Sequence, residues 1–288
     1  MCSKKAFTSI ACILLFLCHT ALSADASEKS KKGPFGVFYA MHMEVGIDKP
    51  EFLHQEQYWP RLIQMISISN QYDAKITLLF NPQWAMYILM DQNRFDIIKE
   101  WQSQGHEVGL HYHLVTHGDW CGYTNRNDSV YTDSPFYLGS VADMMQVMNQ
   151  LADPEPVLTA CCGADIATKP FPFCKPVPPG LIDEIDFPNE IIYDIDGIHD
   201  GRISPLRFEF KGKGRYHLRH GVAMQKSDIQ ERLNEIDSAE CDEIIGLVTH
   251  ESDYDPELLK AVFRYLEKKQ IHVQTVRHIM KNYLKNRD

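Results

Sequence analysis

The chain has 288 residues, 44% hydrophobic and 24% charged, a globular balance that excludes a disordered or fibrous polypeptide and allows one large α/β domain or two small ones. Its 29 Lys and Arg stand against 39 Asp and Glu, a formal net charge of −10. That charge repels phosphate backbones and anionic lipid, so neither nucleic acid nor a membrane surface is an expected partner.

Residues 1–26 read as a secretory signal peptide. Lys4 and Lys5 precede an apolar run from Ala11 to Leu17 that is too short to span a bilayer, and small residues follow at Ala21, Ser23, Ala24 and Ala26. Residues 27–34 form a polar linker, and 35–288 are expected to fold as a single domain in a secreted or periplasmic protein without a stable membrane span. Cleavage would remove Cys2, Cys12 and Cys18 of the eight cysteines. Five would remain in an oxidising compartment, where a bridge from Cys161 or Cys162 to Cys174 is expected.

Strand and helix patterns then alternate to the end of the chain. GVFYAMHME (36–44) predicts a buried strand, PRLIQMISISNQ (60–71) a helix, and KITLLF (75–80) a second strand. Phe95, Ile97, Ile98 and Trp101 predict a helix ending at Gly105, ahead of the strand HEVGLHYH (106–113). Ser134-Pro135 predicts an N-cap with proline at the first helical position, followed by an apolar stripe of Leu138, Val141, Met145 and Met148 suited to core packing. Strands are expected at 156–162, 191–196, 207–211, 215–219 and 243–251. Asp255-Pro256 opens a helix to Gln270, followed by a strand IHVQTV and a last helix from Arg277. Such alternation predicts a parallel sheet covered by helices, with chemistry at the carboxyl ends of the strands.

The polar residues gather at those ends. Four of 13 histidines, His106, His111, His113 and His117, fall within twelve residues. On a strand Glu107, Gly109, His111 and His113 share one face, while Val108, Leu110 and Tyr112 share the other. Two or three imidazoles at a strand end suit a divalent transition metal, zinc first among them. His42 and Glu44 share a face at the end of the first strand, and Glu44 is a natural third ligand because a carboxylate there needs a cation or hydrogen bonds. His250 ends a late strand, where it can act as a general acid or base. Asp194, Asp196, His199 and Asp200 read as strand-end and turn chemistry, or as a second wall of the site.

KITLLF, a helix and then GHEVGLH resemble the polysaccharide deacetylases, the NodB-like metal-dependent carbohydrate deacetylases. The resemblance implies an irregular seven-stranded (β/α) barrel over residues 35–288. It implies Glu44 as carboxylate ligand, His42 in the base position, His111 as first imidazole and His250 as the acid. Val115 stands four positions after His111, so the second imidazole is His113, as in a His-x-His branch, or His117. His-Met-Glu replaces the family's aspartate pair, and no arginine stands in LTACCGAD where the family keeps one.

The leading expectation is an exported hydrolase that removes acyl groups from an amino sugar or polysaccharide, with a metal-activated water attacking the carbonyl. Trp84, Trp120, Tyr123 and Tyr131 offer ring faces for sugars, or loop packing. The alternative is a catalytically degenerate deacetylase-fold protein that binds carbohydrate.

Overall fold

The strands that carry the candidate histidines lie side by side in a computed structural model, which describes residues 33–45, 52–115, 119–163, 188–196, 202–203, 206–210, 213–219 and 229–287. They are β1 (Gly36–His42), β2 (Thr77–Phe80), β3 (Glu107–His113), β4 (Thr159–Gly163), β5 (Tyr193–Asp196), β6 (Arg202–Ile203), β7 (Leu206–Phe210), β8 (Lys213–Arg219) and β9 (Ile244–His250). The helices are α1 (Leu53–Gln71), α2 (Pro82–Leu89), α3 (Gln92–Ser103), α4 (Ser129–Thr132), α5 (Val141–Ala152), α6 (Ile229–Ser238), α7 (Pro256–Lys268) and α8 (Val276–Lys285).

The sheet order is β6-β9-β1-β2-β3-β4-β5-β8-β7. Its seven inner strands are parallel, and β6 and β7 pair antiparallel at the two edges. β6 approaches β8 across the seam, which curls the sheet into an irregular (β/α) barrel. Alternation along each strand builds two cores. Val37, Tyr39, Met41, Val108, Leu110, Tyr112, Ile245 and Leu247 pack outward against the helices. Phe38, Ala40, Leu79, Ile195, Leu218 and Val248 point inward, where Val276, Ile279 and Met280 of α8 join them. No helix among the described residues is long and apolar enough to cross a membrane.

Several element boundaries differ from those expected. α1 begins at Leu53, with Pro60 inside it, because its first turns bury the polar His54 and Gln55 and show no apolar periodicity. α2 was not expected, although Asn81 caps the Trp84 N–H and Pro82 takes the first position. α5 starts at Val141 rather than at Pro135. A capping box between Ser140 and Asp143 opens it, and Leu138 is exposed instead of joining the stripe. IHVQTV forms no strand; Val273 makes one isolated bridge to Val37, and Thr275 then caps α8. α7 runs as expected from its Asp255 cap and Pro256.

Candidate functional site

The motif Gly105 to His111 serves the lower half of the barrel before it reaches the site. Gly105 turns the chain at φ +96°, a region open to glycine. His106 Nδ1 accepts the Ile76 N–H at 3.2 Å, and burial, with Lys75 nearby, pushes its pKa down to about 4. Glu107 accepts hydrogen bonds from the Thr77 and Thr159 hydroxyls and from the Arg277 N–H. At Gly109 a Cβ would stand 2.6 Å from Leu79 and 2.8 Å from the Thr159 carbonyl oxygen, so only glycine lets β2, β3 and β4 approach this closely. Two residues further, His111 reaches the upper end.

There β9, β1, β3 and β4 deliver their polar residues to one mouth. His42 is in register with His250, and His111 with Cys161, so period-two alternation aims these side chains inward together. Glu44 lies two residues beyond His42. Its Oε1 is 3.3 Å from both His111 Nε2 and His250 Nε2, and its Oε2 is 3.5 Å from His113 Nε2. Burial alone would raise the Glu44 carboxyl, but the imidazoles of His111, His113 and His250 outweigh it and hold the group well below the usual carboxylate range. The His42 ring lies 4.4 Å from that of His111 and edge-on to His250 at 5.1 Å.

The donor set fits a divalent cation. His113 Nδ1 donates to the Asp119 carbonyl at 2.9 Å, an assignment made from that contact, and this leaves a lone pair on Nε2 facing His111 Nε2 at 2.9 Å. Two ring nitrogens and a carboxylate converging in this way need a cation or a shared proton between them. One ligand atom each from Glu44, His111 and His113 lie within 4.8 Å of one another. Carboxylate and imidazole donors together suit zinc and similar ions.

A clasp outside the expected site residues holds the backbone of Glu44. Glu251, 2% exposed, accepts the Glu44 N–H at 2.9 Å and faces His54 Nε2 at 2.5 Å, while its own N–H donates to the His42 carbonyl. Its signal was a charged residue directly after the strand-ending histidine.

No protein-family profile matches the sequence, and no curated protein matches it. Solved structures do. PuuE allantoinase superposes with a TM-score of 0.56 at 12% identity, over 88% of this chain and 91% of that one. A Mycobacterium smegmatis protein assigned to the polysaccharide deacetylases gives 0.50 at 12%, over 88% and 92%. A 4-α-glucanotransferase from Thermococcus litoralis gives 0.51 at 10%, over 86% of this chain but 38% of that one. The barrel is of the polysaccharide deacetylase type. The seven parallel strands agree with that fold, and identities this low speak to the fold alone.

Within this deacetylase-type barrel, Glu44, His111, His113, His42 and His250 lie close together at one mouth, while His117 lies outside the described residues. Trp84 does not face the mouth. It is fully buried on α2 among Phe80, Tyr87 and His54, so it is core and not a sugar platform. Tyr123, 4% exposed, is likewise core. Trp120 stays half-buried beside the carbonyl that holds His113, with Tyr131 edge-on at 5.9 Å. Asp194 alternates with the inward Tyr193 and Ile195, which places it on the outer face of the sheet and away from the site. Cys161 carries its sulfur as a buried thiol, which corrects the expected bridge at that position. The Cys162 side chain, Cys174, the Asp196 side chain, His199 and Asp200 lie outside the described residues.

Proposed function

We propose that the chain is an exported, metal-dependent hydrolase that removes acyl groups from an amino sugar, a polysaccharide or a related amide. One observation carries this reading: a single carboxylate, Glu44, faces His111, His113 and His250 at the carboxyl ends of neighbouring strands. Glu44, His111 and His113 would hold the ion, which supplies Lewis acidity toward a carbonyl. His250 is the proton carrier. Its side chain is one-third exposed, its Nε2 faces Glu44, and its Nδ1 lies 3.8 Å from Asp253, a carboxylate able to orient the ring. Trp120, on the loop that positions His113, offers a face to a sugar ring.

Replacement of His250 by Gln should lower turnover on acetylated amino sugars by about 10²–10⁴ with metal content unchanged. Unaltered turnover would remove His250 from the mechanism. A second reading, a deacetylase-fold protein that binds carbohydrate without turnover, draws on His42, which is 4% exposed and tilted against His111 where the resemblance would place a charged base. Glycan binding by the metal-loaded protein without acyl release from any substrate would favour it. Amino-terminal sequencing of the protein from its native source tests export: a start between about Ala24 and Ser27 supports it, and a retained Met1 refutes it.

A further inference from the structure

The mouth contains a second set of donors, more buried than the first. Cys161 points inward from β4 in register with His111, and one ligand atom each from His42, His111 and Cys161 lie within 4.8 Å of one another. All three residues are only 3–4% exposed. His111 belongs to both sets. Its Nε2 meets Glu44 and His113, whereas its Nδ1 is buried and has no hydrogen-bond partner among the described residues. A buried ring nitrogen in that state costs free energy unless a proton or a metal engages it.

We propose that His42, His111 and Cys161 form a soft, sulfur-containing position for a transition metal ion, sharing His111 with the Glu44 set. The inference rests on the reading of this mouth as a metal centre, but it needs neither Glu44 nor His113 as a ligand. A thiolate with two imidazoles favours zinc, cobalt or copper over magnesium and manganese, which prefer oxygen. Binding releases the Cys161 proton, and the thiolate leaves a dication with a single positive charge, which the nearby Glu44 carboxylate offsets. His42 then acts as a ligand. A histidine suits that task, whereas it lacks the negative charge of the acidic base that the resemblance would place there.

Cobalt(II) is the probe. The whole protein, stripped with a chelator and titrated with cobalt, should develop the near-ultraviolet charge-transfer band of a cobalt–thiolate bond. Cys161→Ser should abolish the band, His42→Gln should abolish or shift it, and His113→Ala should retain it. Cobalt bound without such a band, or a band unchanged in Cys161→Ser, would overturn the proposal. If that cobalt were lost in Glu44→Gln, the Glu44 reading would survive alone. No cobalt binding at all would overturn both. Should Cys161→Ser not fold, wild type decides: cobalt should slow alkylation of Cys161, followed by peptide mass, at least about tenfold. Equal rates with and without cobalt would refute the site.

Discussion

Glu107 and Glu44 are carboxylates at opposite ends of one barrel, and their partners differ in kind. Glu107 meets two threonine hydroxyls, the Arg277 amide at the start of α8 and, at 3.6 Å, the Arg277 guanidinium. Glu44 faces three imidazoles. Hydroxyls, amides and guanidinium satisfy a carboxylate completely and bind strands to a helix; none of them is a good ligand for a transition metal. Imidazoles present lone pairs, so the upper carboxylate remains available to a cation. The lower end of the barrel builds stability, and the upper end carries the donors proposed to hold a metal.

Crossed substitutions can break this comparison. His111→Ala should empty the metal site altogether, read by metal analysis, while the protein stays folded. Retained metal would mean that the upper end is not a metal centre. Glu107→Ala should do the reverse: it takes the acceptor from two buried threonine hydroxyls and the Arg277 amide, while the Arg277 guanidinium keeps Glu155 and the Pro156 carbonyl, and it should cost about 1–3 kcal/mol in denaturant unfolding with metal per folded molecule unchanged. A smaller loss than in an exposed-glutamate control would show that Glu107 is dispensable. Glu251→Gln should weaken metal affinity by about 10–100-fold through the Glu44 backbone, because outer partners of ligands carry effects of that size. Equal affinity would reduce the clasp to packing.

The smallest effect concerns pH. The folded pKa of His106, about 4, lies below its ordinary value of 6.5, so the unfolded chain takes up a proton that the folded chain refuses. Stability from this group is full above pH 6.5 and falls as pH drops toward 4. Between pH 7 and pH 5 wild type should lose about 1–2 kcal/mol more than His106→Gln. Parallel stability curves would show that His106 titrates normally.

Local pattern accounts for much of this. Period-two alternation predicts which faces of β1, β3 and β9 look inward, and therefore that His42, Glu44, His111, His113 and His250 can share a site. The GHEVGLH stretch implies the fold, although most of its residues serve the lower end: Gly105 turns the chain, His106 accepts an amide, Glu107 ties β3 to α8, and Gly109 makes room for Leu79. The α7 cap was equally plain, since Asp-Pro before an apolar stripe specifies its own local geometry. Trp84 and Tyr123 show the limit, because an aromatic side chain reads the same in a core as at a mouth.

What required the tertiary structure is contact between residues distant in the chain. His54 meets Glu251 across 197 positions, and Cys161 meets His111 because β4 pairs with β3, and His42 because β4, the third strand along from β1, belongs to a sheet that curls. Alternation states the direction of a side chain, a property of a few consecutive residues. Strand order and register decide whom it meets, and they depend on how every strand buries its two faces at once.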